Sequence, residues 1–465
     1  MTGLWDQVVD MVAAGRRFAG LMGTQCGDAL QLSAHLASAG EISTCELLLP
    51  PGATSYPALT PLLGSAFWYE RELHDLFGIV PDGHPRLEPL ILPGEHSVPR
   101  HVLAPGLFTI SHGPVRSGVT ESIEYLIQTP GEDIPHLNVR VFYKHRGIEK
   151  RFEDLAAADG VLLAERVEGV ASVAHALAYS HAAERIAGAA EVPWRAALIR
   201  VLHAELERLV AHLDVAVRLC DAAGLAAATA RFGVHKERLM RLVGQMCGSR
   251  FGRGVVVPGG VSAMPMVGAA DVLTELGRME RAITADAKAA MGTASFLDRL
   301  RNTGPLRPER AAEHGALGPV GKASGYRDDA RATRPYDAYP ALGLGEPPEH
   351  QAGDALARLR VRWDEVRQSF HLLRQAADEL ADAADGPLRV SCAVESGRAV
   401  GWAEAAHGEV LYDLCAQAGQ ITRCRPRSAS FHNLVLFHEV FAGDILTDFP
   451  FIEASFGLPV AGVAL

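Results

Sequence analysis

The apolar positions of this chain change their period several times along its length, and those changes mark off its parts. In residues 1–95, Trp5, Val8, Val9, Met11 and Val12 recur at helical spacing, while short apolar segments such as Cys45 to Leu49 read as strands. Pro50-Pro51-Gly52 and Pro93-Gly94-Glu95 punctuate this small α/β unit. Residues 96–112, holding Pro99, Pro105 and Gly106, read as a linker. Two strands are predicted next, Glu121 to Gln128 and Val139 to Tyr143, separated by Pro130-Gly131-Glu132 and Pro135. From about residue 155 the pattern turns helical and rich in alanine, with helices predicted over 161–187, 193–222, 230–248 and 270–300. Residues 303–350 carry Gly, Pro and Arg without periodicity and predict a long loop, of the kind that serves a function or an interface. A further helix is expected over 351–384, and the alternating tail from Leu388 predicts a β-rich closing segment. The pattern as a whole gives an α+β protein. A small N-terminal α/β domain (1–95) and a linker (96–112) precede a helix-bundle domain with flanking β-sheets (113–465).

Composition narrows the function classes. A length of 465 residues implies two or three domains, and 48% hydrophobic with 21% charged residues describes a folded chain. The net charge of −11, with no long Lys/Arg block, excludes nucleic acid as the main partner. The start from Met1 to Asp10 has no apolar core and predicts no signal peptide. No apolar stretch approaches the ~20 residues of a membrane span, so membrane contact is expected through partner subunits. The cysteines, Cys26, Cys45, Cys220, Cys247, Cys392, Cys415 and Cys424, are scattered without a C-x-x-C pair. They predict reduced thiols used as small core residues, not a disulfide framework or a metal site.

Two sets of motifs resemble known families. Phe67-Trp68-Tyr69-Glu70-Arg71-Glu72-Leu73-His74-Asp75-Leu76-Phe77-Gly78-Ile79 with Gly83-His84-Pro85 resembles the signature of the 30-kDa-type subunit of respiratory complex I. From about residue 107 the chain resembles the 49-kDa-type subunit of complex I and the large subunits of group 4 membrane-bound hydrogenases. Ser111-His112-Gly113-Pro114, Tyr143-Lys144-His145-Arg146-Gly147-Ile148-Glu149-Lys150 and Leu202-His203-Ala204-Glu205-Leu206-Glu207-Arg208 with His212-Leu213 carry this likeness. So does Gly318-Pro319-Val320-Gly321-Lys322-Ala323-Ser324-Gly325 with Asp328, Arg331, Pro335-Tyr336 and Tyr339. A fusion of the two subunit types is typical of formate hydrogenlyase-type large subunits.

The resemblance also shows what is missing. Arg166-Val167-Glu168-Gly169-Val170-Ala171-Ser172-Val173-Ala174-His175 is similar to the first nickel-binding motif of such hydrogenases, with Glu168 and Ala171 in the cysteine positions. The run from Asp448 leads toward the second motif, where Pro459 and Gly462 replace the cysteines. Soft nickel and low-spin iron need thiolate sulfur, so the fold is expected without a nickel–iron centre. Glu168, Ala171 and His175 are spaced i, i+3, i+7 and are predicted to share one helix face. There, Glu168 with His175 forms either a pair fit for proton transfer or a polar patch filling an abandoned cavity. Glu404-Ala405-Ala406-His407-Gly408-Glu409 resembles the element that covers the hydrogenase active site, with His407 in place of an Arg. His407 can titrate near neutral pH; it either joins Glu168, His175 and Glu121 in a proton relay or faces a partner.

The quinone site of complex I is not carried over either. Arg116 and Thr120 stand where its two His would be, and Gly169 where its Tyr would be. His145, Arg146 and Glu149 match an element that lies toward the neighbouring iron–sulfur subunit, which implies a structural or partner-contact role. His203, Glu207, Arg208 and His212 read as a salt-bridged bundle core, and Glu70 and Glu72 around Arg71 as a stabilising network or docking surface.

The resemblance implies the large subunit of a complex I- or formate hydrogenlyase-related oxidoreductase complex. It would lie peripherally on the cytoplasmic face of the inner membrane, between a [4Fe–4S]-bearing small subunit and antiporter-like membrane subunits. This chain itself would bind no cofactor, with quinone as the candidate acceptor and NADH reaching it only through other subunits, since no G-x-G-x-x-G follows a strand. A non-catalytic coupling scaffold is the alternative; an active hydrogenase, or a standard NADH:quinone oxidoreductase, is the weaker reading.

Overall fold

A computed structural model describes residues 2–92, 104–116 and 121–465. Residues 96–103 of the expected linker lie outside the described residues, and its last five residues, Phe108–His112, form a strand instead.

In the N-terminal unit, helix α1 (Thr2–Ala13) lies on an antiparallel meander of β1 (Arg17–Cys26), β2 (Ala29–Ala37) and β3 (Ile42–Leu49). Cys26 faces Ala29 across a two-residue turn in which Gly27 takes φ +61°, the left-handed conformation that a tight hairpin requires. Helix α2 (Phe67–Phe77) crosses the sheet at Gly23, where a Cβ would lie 2.7 Å from the Phe77 ring and 2.8 Å from Leu73. The charged residues of α2 form no network with one another. Glu70 accepts from the Leu59 and Thr60 amides, Arg71 donates to the Glu88 and Pro89 carbonyls, and Glu72 pairs with Arg425. The apolar core of this unit continues without a break into the far end of the chain, where Phe431, Leu434, Phe437 and Phe449 pack into it.

A second meander, β4 (Phe108–His112), β5 (Glu124–Thr129) and β6 (His136–Arg140), precedes the helical region. There α3 (Ser172–Ala187), α4 (Trp194–Ala222), α5 (Ala226–Cys247), α6 (Ala269–Met291) and α7 (Ala355–Asp382) build the bundle. A third meander, β7 (Gly397–Ala405), β8 (Gly408–Gln417) and β9 (Gln420–Arg427), covers α3. The alanines of α3 have a reason: at Gly401 of β7 a Cβ would fall 2.1 Å from the Ala178 carbonyl oxygen and 2.4 Å from the Ala182 nitrogen. Sheet backbone rests on helix backbone, and only small side chains fit between.

Five expectations need correction. The helix predicted over 161–187 is two helices, Gly160–Ala164 and α3, because the Glu207 carboxylate accepts from the Val173 and Ala174 amides and starts α3 only at Ser172. The helix over 270–300 breaks at Gly292, and Ala294–Leu300 follows separately. Residues 303–350 hold short helices at Pro308–His314, Gly318–Lys322 and Ala330–Thr333, too brief to register as periodicity. The closing segment is β only to Arg427; beyond it lie Ala429–Asn433, a 3₁₀ turn at Leu434–Glu439 and α8 (Phe449–Phe456). Leu434, Val435, Leu436 and Phe437 are all buried, so that turn shows no polar face from which a period could be read. Cys26 is exposed rather than a core thiol, while Cys45, Cys220 and Cys424 are buried.

A pair of buried histidines ties the N-terminal unit to the rest. His432 Nδ1 lies 2.9 Å from the Tyr69 hydroxyl, and its Nε2 lies 3.1 Å from the His314 carbonyl oxygen. His314 Nε2 in turn donates to the His432 carbonyl at 2.7 Å. Burial holds His314 down to about 4 and His432 well below its ordinary value of 6.5. The sign follows: stability present above pH 6.5 is lost as pH falls toward 4, where the unfolded chain binds protons and the folded one does not. His314→Gln keeps a donor for the His432 carbonyl and removes one titration. The urea midpoint of the native chain is expected to fall more steeply than that of H314Q between about pH 7.5 and about pH 5; equal slopes would contradict this.

Candidate functional site

Glu168 sits at the centre, fully buried, in the turn that precedes α3. Its Oε2 lies 3.0 Å from His407 Nε2 and 3.7 Å from His175 Nε2. These are charge contacts rather than aligned hydrogen bonds, since neither Glu168 oxygen nor His175 Nε2 has a hydrogen-bond partner. On its far side His175 Nδ1 lies 2.8 Å from the Tyr412 hydroxyl, and His407 Nε2 is 3.3 Å from Ser428 Oγ. Burial alone would raise the Glu168 pKa, but His407 and His175 outweigh it and hold the carboxyl well below the usual range. Glu168 is thus an ionised carboxylate in a dry site.

The space around that carboxylate is shaped by an absence. At Gly462 an added Cβ would meet Glu168 Oε1 at 1.5 Å, so the carboxylate occupies the volume that any side chain at 462 would need. Ala171 is buried beside it as the residue just before α3, and Pro459 lines a narrow cleft with His407. The predicted helix face is corrected accordingly. Glu168 and Ala171 precede α3, and only His175 lies within it; the three meet because the chain turns, not because they share a face.

Several clamps fix this arrangement. Glu121 does not touch the histidines; its carboxylate accepts from the Val460 and Ala461 amides at 2.6 and 3.0 Å. Arg146 donates to the Val167 carbonyl at 2.8 Å and the Ala461 carbonyl at 2.6 Å. It thereby joins the segment before Glu168 to the C-terminal turn and holds Gly462 against the carboxylate. His407 lies in the β7–β8 turn, and Arg208 of α4 donates to the Glu404 and Ala405 carbonyls just before it. Glu409, just after it, binds Arg17, Arg334 and Arg427. Gly318 packs on the same turn, where a Cβ would lie 2.5 Å from the His407 carbonyl oxygen.

The remaining predicted residues are spread around the site. Arg116 is held by Glu453 through both guanidinium ends at 2.9 and 2.8 Å and lies over the Tyr125 ring. Thr120 lies outside the described residues. Gly169 is exposed at the rim of a mostly apolar cleft of about 420 Å³ between α3, α4 and α5, with Val173, His203, Glu207 and Met240 among its walls. His145 is half-buried, whereas Glu149 is buried and paired with Arg423 and Arg425. The predicted salt-bridged core is only partly so. Arg208 and His212 meet Glu365, but His203 Nδ1 bonds the Ile199 carbonyl and Glu207 caps α3. Burial pushes Glu207 up to about 8. Tyr412, Ser428 and the apolar cleft escaped sequence reasoning, because nothing local marks a strand tyrosine or a cap serine as facing a distant histidine.

Among the described residues, no group of three or more His, Cys, Asp or Glu side chains is arranged to hold a metal ion. No described helix is long and apolar enough to cross a membrane.

Comparison with known proteins agrees with the fold. The family described as respiratory-chain NADH dehydrogenase, 30 Kd subunit, matches residues 4–104, and the 49 Kd subunit family matches residues 224–394. Formate hydrogenlyase subunit 5 of Escherichia coli (strain K12) is 27% identical over 86% of this chain and 75% of its own length. A chain of the NADH-quinone oxidoreductase of Nitrosospira multiformis is 28% identical over 71% of this chain, which spans 62% of that protein. The membrane-bound hydrogenase subunit alpha of Pyrococcus furiosus is 28% identical over 73% of this chain and 83% of its own length. In three dimensions, a chain of the membrane-bound sulfane sulfur reductase, an archaeal respiratory membrane complex, has the same fold. It superposes with a TM-score of 0.73 at 24% identity, over 78% of this chain and 100% of that one. The chain is a fusion of a 30-kDa-type and a 49-kDa-type domain of the complex I family, with formate hydrogenlyase and membrane-bound hydrogenase subunits among its homologues.

Proposed function

We propose that this chain is the large peripheral subunit of a membrane-associated oxidoreductase complex of the complex I and hydrogenase kind, with no nickel–iron centre of its own. In this reading it takes part in electron transfer from an iron–sulfur small subunit, and that transfer is coupled to ion movement through antiporter-like membrane subunits. It lies on the cytoplasmic face and is divided near residues 95 and 113 into the two domain types. The names of its relatives support the setting: a formate hydrogenlyase, a membrane-bound hydrogenase and NADH-quinone oxidoreductases.

The observation that carries the reading is the contact between Glu168 and Gly462. A nickel centre does not fit the residues present at the four positions that resemble its ligands. Ala171, Pro459 and Gly462 offer no donor, and the Glu168 carboxylate fills the space at 462. A quinone headgroup does not fit the resembling positions either, since Arg116 is taken by Glu453 and Gly169 has no side chain. What remains is an ionised carboxylate between two imidazoles, a set that can hold and pass a proton without a metal. Glu121 and Arg146 act on it as positioning residues through the C-terminal turn. The scaffold reading draws on the same Arg116–Glu453 pairing, in which both terminal guanidinium nitrogens are already engaged.

Two measurements on the purified intact complex test this. Metal analysis with the large chain resolved from its partners is expected to find iron only in other subunits; stoichiometric nickel in this chain would overturn the assignment. Glu168→Gln is expected to leave assembly intact and to lower turnover by about 10²-fold or more, the usual scale for losing a proton-transfer group. An assembled E168Q complex with unchanged turnover would leave only the scaffold.

A further inference from the structure

The Glu168 site is closed on nearly every side, so a proton needs a way in. His175 and Tyr412 are fully buried, and Arg146 closes the turn side through the Val167 and Ala461 carbonyls. From α4, Glu207 has both oxygens engaged by the Val173 and Ala174 amides. Behind the hairpin stands a buried set of fixed charges: Lys322 lies 2.6 Å from Asp329 and 2.7 Å from Glu365, and Glu365 lies 2.8 Å from His212. Burial is outweighed there by the opposite charges, which keep Glu365 well below its ordinary value and Lys322 above it. These groups bond one another, and none of these contacts reaches Glu168 or His407.

One side differs. His407 forms the inner wall of a narrow cleft of about 20 Å³, room for about one water. Ala211, Asp214 and Arg218 of α4, Arg362 of α7 and Pro459 are among its other walls. Arg362 is held in place by the Phe456 carbonyl at 2.8 Å and by His212 Nδ1 at 3.3 Å. At the outer end Asp214 pairs with Arg218 at 2.7 Å and with Lys236 at 2.6 Å, and the Arg218 side chain is 55% exposed. The cleft therefore runs from a charged surface pair to the imidazole that touches Glu168.

We propose that His407 is the proton gate of the site, exchanging protons with solvent through this cleft. The inference rests on the relay reading above. A proton taken from cleft water by neutral His407 makes an imidazolium 3.0 Å from Glu168 Oε2. Transfer across that distance leaves neutral His407 and neutral Glu168, with no electron moved and no other group consumed. His175 is the inner station, reached only through Glu168, because Tyr412 and the α3 backbone close its other side.

Deuterium exchange at the imidazole C2 carbon, resolved by residue in the full chain, tests the route without any turnover. His407 is expected to exchange at least about tenfold faster than His175, as a group with its own path to water does. Ala211→Leu, which fills the cleft, is expected to slow His407 and leave His432, buried elsewhere, unchanged. Should A211L fold poorly, as an altered His432 rate would reveal, Ala211→Val is the milder plug and His407 slows by less. A His407 rate equal to that of His175 in the native chain would overturn the gate, as would a folded plug variant with native His407 exchange. E168Q turnover fails or holds independently of this rate, so the two readings are separated.

Discussion

Glu409 is the point on which the two halves of the molecule and the site all depend. One buried carboxylate receives Arg17 from the N-terminal sheet, Arg334 from the long connecting segment and Arg427 from β9. Asp328 helps by pairing with Arg17 at 2.6 Å and Arg334 at 3.0 Å. Burial would raise Glu409, but three guanidinium groups hold it far below the carboxylate range. Such a set is costly to desolvate and is worth keeping only when complete, since removing one partner from a buried pair costs about 3–5 kcal/mol. Its position gives it a second consequence. Glu409 follows the β7–β8 turn by two residues from His407, so the clamp that joins the domains also sets the imidazole over Glu168.

The site is built around one buried carboxylate. At the positions that resemble the cysteines of the hydrogenase motifs, the Glu168 carboxylate lies against Gly462 and faces two imidazoles. The carboxylate keeps its charge only because both imidazoles are close; water does not reach it. A neutral group at 168 would leave His175 and His407 without the anion they face. Glu207 shows the opposite balance on the next helix: burial outweighs its two amide hydrogen bonds and the pull of Arg208, and pushes its carboxyl up to about 8.

How much of this could be read from residue order depended on the range of the interaction. The bundle helices α4 and α7 were legible to within a few residues at most ends because their apolar faces repeat over many turns. The helix start at Ser172 was not, because its cap is a glutamate 34 positions later on another helix. Glu168, His175 and His407 stood out as departures from motifs, and the fold brings them together, although not on the helix face that their spacing suggested. Glu121 and Arg146 were visible as motif residues, yet their clamping of the C-terminal turn depends on backbone atoms some 315–340 positions away. Sequence spacing carries no information about such partners.

The charge state of Glu168 is the centre of this account, and infrared difference spectroscopy between the native chain and E168Q reads it directly. Across neutral pH the account predicts that the substitution removes carboxylate bands alone, because Glu168 is ionised between its histidines. Loss of a protonated carboxyl band instead would show a neutral Glu168, and the site would then have no anion for His407 and His175 to serve.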